Sequence, residues 1–560
     1  MNKEFIKDLV KFIKKDKPGK DNLNKAKIRL SKKYGLKGIP NDITILLEVN
    51  KKDLVFVKKY LMSKETRTLS GVAICAIMTK PMKCPHGKCS MCPGGVKSEF
   101  GTVPQSYTGK EPATRRAIRN LYDPYLQVMN RIEQYIVQGH IADKIELIVM
   151  GGTFPSAPKK YREDFVKYAF KAMNDFSKLF FVKGELNFTK FKNFFELPCD
   201  INDPKRRKRL FAKLLKLKGQ TTLEEEHLRN EKSNIKCVGL TIETRPDYGM
   251  LKEGNEMLRL GCTRVEIGIQ SVFNFALKNI ERGHSVEDSI ESIKTLKNLG
   301  FKLNFHMMLG LPGVNKQRDL TGLQMLFALD EFQPDMLKLY PCMVMKGTKL
   351  YNKWKQKKFK PITTAKAADL IAEFKKDVPP YVRIMRVQRD IPTFMTEAGV
   401  DKTNLRQYVD KVLDKKKIKC NCIRCREIGR YKGKVDYKKV KIKTLHYGAS
   451  KGNEFFISAE YKDHILGFCR LRIPSESLRK EITDDSALIR ELHVYGSAVS
   501  IGKKGDVQHK GLGKKLVAKA EELAKTYFKK KMVIISGVGV RGYYKKLNYK
   551  KEGPYMVKKI

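Results

Sequence analysis

Between Thr68 and about Val387, short apolar runs alternate with amphipathic stretches. The runs are KIELIVMGG (144–152), IKCVGLTIETRPD (235–247), CTRVEIGIQS (262–271), FKLNFHMMLGLPG (301–313) and MLKLYPCMVM (336–345). Near-continuous apolar runs bounded by Gly, Pro or polar residues suit strands covered on both faces, and the 3.6-residue periodicity between them suits helices. Repeated strand, loop and helix predict an α/β unit over 69–387, a parallel sheet or partial (βα) barrel. Its active site belongs at the C-terminal strand ends, where each run breaks into polar, Gly or Pro residues.

The flanks have other patterns. Residues 1–68 read as short basic helices broken at Pro18-Gly19, near Gly35 and at Pro40, with few positions for a large core. Phe5, Ile6, Leu9, Val10 and Ile13 share a helical face, but lysines interrupt any secretory signal. KAKIRLSKKYGLKG (25–38) is a basic amphipathic stretch suited to RNA contact or to a solvated face. Residues 388–445 suit a small metal-stapled linker. Residues 446–560 read as a separate α/β unit: the strand ALIRELHVYGSAVSIG, a basic loop, the helix QHKGLGKKLVAKAEELAKTYF and the strand KMVIIS.

Charge narrows the class. Lys and Arg total 114 against 60 Asp and Glu, a net +54 over 560 residues. That excess favours a nucleic acid held through its phosphates; a heat-adapted or compositionally biased surface is the alternative. No run of about 18 apolar residues occurs, so no membrane span is expected and the chain reads as soluble. Six of the twelve cysteines fall in two tight clusters, which points to metal ligands in a reducing, cytoplasmic setting.

The first cluster, KPMKCPHGKCSMCPGG, carries Cys84, Cys89 and Cys92 in a loop after the strand GVAICAIM. Three thiolates suit a 4Fe-4S cluster with one iron left open for chemistry; a zinc site would need a fourth ligand such as His86. The second, KCNCIRCREIG, carries Cys420, Cys422 and Cys425. Zinc is expected there, with Cys469 favoured over His446 or His464 as fourth ligand and a second iron-sulfur cluster as the alternative. In the terminal unit, Gly511 and Gly513 open a helix whose free N–H groups and dipole suit a pyrophosphate.

In their order along the chain, these segments resemble radical S-adenosylmethionine (SAM) enzymes and, most specifically, the catalytic subunit of Elongator in its archaeal form. The resemblance rests on CPHGxCxxCPGG, the QSYTG-x-EP stretch (Gln105 to Pro112), MGGT (Met150 to Thr153), ETRPD, EIGIQS, ERGHS and HMMLGLPG. It implies SAM contacts from Gly151, Gly152, Gln270 and Arg282, with Lys338 facing the radical site. The C-terminal GVGVRGYYKKLNYKKEGPYMVK is similar to the closing motif of GNAT acetyltransferases. That implies acetyl-CoA, its pyrophosphate held by Gln508, Lys510, Gly511, Gly513 and Lys514 and its thioester lined by Tyr543 and Tyr544. The family reaction it implies joins a carbon radical from acetyl-CoA to carbon-5 of the wobble uridine in a tRNA anticodon loop, leaving 5-carboxymethyluridine. Other readings are a protein lysine acetyltransferase with a vestigial radical domain and a non-catalytic tRNA-binding scaffold. A homodimer is admissible, and accessory subunits are not legible.

Overall fold

The structure, a computed structural model, describes residues 2–63, 68, 70–140, 142–200, 203–431, 433–495 and 511–560. Seven strands, Ala73–Met78, Lys144–Met150, Lys236–Thr244, Arg264–Gln270, Lys302–Leu309, Met336–Pro341 and Arg383–Arg386, pair in chain order, every pair parallel. Parallel neighbours need a crossover, and helices such as Pro124–Val137, Lys159–Phe180 and Val286–Asn298 supply it. The first and last strands do not pair, so the barrel stays open, and its strands converge by their C-terminal ends on one cavity.

After the linker, a second seven-stranded sheet runs in the order Lys441–Ala449, Gly452–Tyr461, His464–Ile473, Ser486–Val494, Lys531–Ile534, Tyr555–Lys559, Lys550–Glu552. Ser486–Val494 and Lys531–Ile534 are parallel, with the helix Leu512–Thr526 as their crossover, and the remaining pairs are antiparallel. The expected fold class, a radical SAM partial barrel joined to a GNAT-type α/β sheet, is the one observed.

The amino-terminal segment differs from expectation. Helices Lys3–Asp16, Lys20–Lys33, Asp42–Glu48 and Lys51–Val57 enclose a core of their own around Phe5, Leu9, Ile13, Leu23, Leu30 and Ile45. Apolar residues four apart on each of the first two helices build it, despite the lysines between them.

The two sheets share one continuous hydrophobic core. The turn containing Gly537 and Gly539 lies so close to strand Lys236–Thr244 that a side chain at 537 would collide with the Val238 carbonyl. Asp335, fully buried, takes both Arg490 Nη atoms at 2.8 and 2.7 Å and the Leu303 N–H at 2.8 Å. Arg490 also meets Glu454, which pairs with Arg472, and Arg472 reaches Asn298 at 2.6 Å. Charges from both units thus pair directly with one another, which fixes the orientation of one unit on the other. No helix among the described residues is long and apolar enough to cross a membrane.

Candidate functional site

The loop after strand Ala73–Met78 carries Cys84, Cys89 and Cys92 into a cavity of about 270 Å³. Gln105 staples it, accepting from the Cys84 N–H and donating to the Gly87 carbonyl at 2.8 Å. Gly94 is required because a Cβ there would strike the carbonyls of Pro104 and Tyr107. Each thiol has a donor: Thr153 Oγ1 at 3.7 Å from Cys84, His86 Nε2 at 3.1 Å and Arg282 Nη1 at 3.6 Å from Cys89, and the Ser106 N–H at 3.1 Å from Cys92. Burial pushes the Cys84 and Cys92 thiols up, and neighbouring thiols add to the rise, so the triad favours a cationic occupant.

The Sγ atoms of Cys420, Cys422 and Cys425 lie within 4.8 Å of one another, as thiolates on one ion must, since Zn–S bonds of about 2.3 Å put tetrahedral sulfurs roughly 4 Å apart. The loop triad offers three thiols, which suits a four-iron cluster with one iron left open. His86, within the loop itself, lies 3.1 Å from Cys89 Sγ through Nε2, and burial lowers its pKa to about 4, keeping it neutral.

The residues expected around SAM gather on this loop. Gly151 and Gly152 have φ of +115° and +77°, and a Cβ on Gly152 would sit 3.7 Å from Cys84 Sγ. Gln270 ends its strand at φ +71°, and Arg282 donates to the Gly268 carbonyl at 2.8 Å while facing Cys89. Arg245, of ETRPD, holds the Arg282 carbonyl at 2.6 Å and is itself fixed by Asp247 at 2.8 Å.

Lys338 lies deeper in the same cavity, bonded to Glu266 and 3.7 Å from Glu243, while His306 Nε2 is 2.9 Å from Glu266. Burial would raise Glu266, yet Lys338 and His306 outweigh it and hold the carboxyl well below its usual range. Burial works against the Lys338 ammonium, but Glu266 keeps its pKa above the usual lysine value; burial, reinforced by Lys338, lowers His306. The result is a buried cation, a carboxylate and a neutral imidazole. Sequence reasoning quoted the motifs around Glu243, Glu266 and His306 without assigning them roles. The available signal was register: Glu243 pairs with Glu266 and His306 with Lys338 across neighbouring strands, a polar row inside an apolar barrel.

In the second unit, Gly511 adopts φ +80° at the start of helix Leu512–Thr526, and no atom of the described residues lies within 4 Å of where its Cβ would be. A Cβ on Gly513 would lie 2.7 Å from Tyr543 Oη, so that glycine keeps the tyrosine at the helix start. Lys514 is exposed on the same first turn; Gln508 and Lys510 lie outside the described residues. Tyr543 and Tyr544 meet edge to face at 5.2 Å, and the buried Tyr543 hydroxyl has no hydrogen-bond partner among the described residues. An orphaned phenol beside a glycine-opened helix N-terminus fits a thioester and pyrophosphate ligand. Glu491, on strand Ser486–Val494, accepts from Arg470 Nε at 2.9 Å.

Cys469 does not complete the zinc site. It sits mid-strand in His464–Ile473, paired on both sides, and alternation turns its thiol into the sheet interior facing Tyr543 and Tyr544. His446 bonds Asn453 and His464 bonds the Lys462 carbonyl, so neither joins the three cysteines. The nearest cation is Lys375, its Nζ 3.6 Å from Cys425 Sγ.

Comparison with known proteins matches this arrangement module by module. Residues 3–69 match the ELP3 N-terminal domain, 81–321 the Radical SAM superfamily, 334–415 the Radical_SAM C-terminal domain and 427–549 the Acetyltransferase (GNAT) family. A tRNA uridine(34) acetyltransferase from Methanocaldococcus infernus is 41% identical over 100% of both chains. Elongator complex protein 3 of Danio rerio is 38% identical, covering 99% of this chain and 96% of its own. The solved structure of the archaeal Methanocaldococcus infernus Elp3 with an N-terminal deletion (1–46) has a TM-score of 0.71 at 38% identity, covering 88% of this chain and 100% of that one. Identity of this extent over the whole length places the chain in the Elongator complex protein 3 family.

Proposed function

We propose that this chain modifies the wobble uridine of tRNA, using a SAM-derived radical and acetyl-CoA to form 5-carboxymethyluridine. The observation that carries this reading is that a three-thiol loop opening on the Lys338 cavity and an acetyl-CoA-type helix start are locked into one body by the Asp335 and Arg490 network. The relatives named tRNA uridine(34) acetyltransferase support the substrate class. When bound, the cluster and SAM supply a carbon-centred radical, and acetyl-CoA supplies the two-carbon unit. Cys84, Cys89 and Cys92 would hold the cluster; Gly151, Gly152, Gln270 and Arg282 would hold SAM; Gly511, Gly513 and Lys514 would hold the pyrophosphate. Cys420, Cys422 and Cys425 would hold a stapling zinc ion.

The chain's own groups do the positioning and proton work. Lys338, kept protonated by Glu266, presents a buried donor to a substrate oxygen. Tyr543, its phenol pKa raised by burial, stays protonated and can donate to a departing thiolate. Tyr543→Phe is expected to leave stability unchanged, because the hydroxyl has no hydrogen-bond partner among the described residues to lose, and to slow RNA-stimulated thioester cleavage about 100-fold. Release of free thiol, followed beside a thermal melt, checks both.

The test of the whole reading is anaerobic. The reconstituted, reduced protein is given SAM, acetyl-CoA and unmodified tRNA, and nucleosides are read by mass spectrometry beside Cys89→Ala. Carboxymethyluridine from the intact protein and none from the variant is the expected result. Thioester cleavage that runs equally in both, with no modified nucleoside from either, would sink the radical assignment.

A further inference from the structure

A cavity of about 490 Å³ lies away from the thiol loop. It runs between the amino-terminal helices and helix Pro204–Lys218 and is lined by apolar side chains such as Leu47, Phe195 and Phe211 together with the polar Asn41, Arg119 and Arg207. That helix, PKRRKRLFAKLLKLK, carries eight Lys and Arg in 15 residues and no acid, against 114 in 560 for the chain. Even in so basic a protein the concentration is more than twofold above background.

The trough is preformed. Arg206 is buried on Glu133 at 2.7 Å and the Phe195 carbonyl at 3.0 Å, while Lys192 reaches the Leu47 carbonyl of the amino-terminal unit. Arg209 and Lys213 are occupied by Glu196, and Lys218 by Asp123 at a part-buried site. Lys205, Arg207, Lys208 and Lys216 are exposed and form no ion pair among the described residues. These are cations available to a partner.

A physical path joins this face to the reaction cavity. Helix Pro112–Arg119 begins beside Glu111 and Ala113, which line the thiol cavity, and ends at Arg119, which lines the trough, about 9 Å further on at 1.5 Å per residue. Arg115 is exposed midway. Arg116 is not free for a ligand, since its guanidinium donates to the Ala76 carbonyl at 2.8 Å.

We infer that this face is a second RNA-binding surface, gripping the phosphate backbone of the same tRNA outside the anticodon loop. The inference rests on the proposed reaction for the identity of the RNA. A lipid surface fits less well. The helix buries Leu210 and Leu214 in the protein, and Leu215 and Leu217 leave too little exposed apolar area for insertion. Four exposed, unpaired cations along one helix suit a phosphate backbone instead.

The test compares the full chain with the variant Lys205→Gln, Arg207→Gln, Lys208→Gln, Lys216→Gln, measuring affinity for whole tRNA and for an isolated anticodon stem-loop across a salt series. Whole-tRNA affinity is expected to fall roughly 10- to 100-fold, and the slope of log affinity on log salt to drop by up to about 3 to 4, near 0.9 per lost phosphate contact. Stem-loop affinity stays within twofold. Arg207→Glu with Lys208→Glu, equally exposed, should reproduce the selective loss. Unchanged whole-tRNA affinity and slope, or equal losses on both RNAs, overturns the inference. So does loss of binding to phosphatidylserine vesicles with tRNA binding intact, which assigns the face to a membrane. Failure of the unaltered chain to bind any tRNA would instead remove the proposed reaction.

Discussion

Replacing Lys338 by methionine is expected to lower the proposed carboxymethyluridine formation by about 100-fold or more, the loss that follows when one preorganised charged donor is removed from a buried site, while cluster assembly and thioester cleavage persist. Methionine fills similar volume, so the cavity walls hold. The electrostatics do not: Glu266 loses the cation that holds its carboxyl low. His306, 2.9 Å from Glu266, is depressed by burial and then by Lys338, so its pKa rises in the variant. Protonated His306 then supplies part of the missing charge. Residual activity should therefore increase as pH falls through the histidine range, opposite to a simple loss of the lysine. Nucleoside mass spectrometry over a pH series reads the rate, and electron paramagnetic resonance of the reduced cluster with SAM checks that the neighbouring site is intact. Wild-type turnover in Lys338→Met would remove the residue from the reaction.

The partial barrel was legible because its strands are buried on both faces and so read as unbroken apolar runs ending in Gly, Pro and polar residues. The thiol loop was legible for a local reason: Cys84, Cys89 and Cys92, with the Gln105 segment that staples them, lie within a short stretch. What the sequence concealed is long-range. Asp335 and Arg490 are 155 residues apart, and nothing around either marks them as partners. Cys469 misled for the same reason, because proximity to the linker in sequence said nothing about which face of its strand it occupies. Lys338 was reached through family resemblance, but its dependence on Glu266 and His306 needed the strand register. The charges of helix Pro204–Lys218 gain a place to act only from the trough the fold sets beside them.

The largest effect on stability is expected at Asp335. Asp335→Ala leaves Arg490 and Arg470 buried with their main shared carboxylate gone and the Leu303 N–H without its acceptor. Removing one partner of a buried pair costs about 3–5 kcal/mol, far more than an intact pair contributes, because the remaining charge is left desolvated. Glu454 still neutralises part of Arg490, which puts the expected loss at the lower end of that range. The pH dependence has a definite sign. Burial would raise Asp335, but Arg490 and Arg470 outweigh it, so its folded pKa lies below the unfolded value of about 3.9. Its contribution is therefore fully present above pH 4 and is lost as pH falls below that, towards the folded pKa. Urea unfolding of the wild type should weaken on acidification through this window, and Asp335→Asn, less stable at pH 7, should show a flatter acid limb. The same variants test whether docking matters to chemistry. If the charge network fixes the acetyl-CoA unit against the radical cavity, Asp335→Asn retains thioester cleavage per folded molecule and loses carboxymethyluridine disproportionately. Equal loss of both would mean that the network stabilises the fold without aligning the two sites.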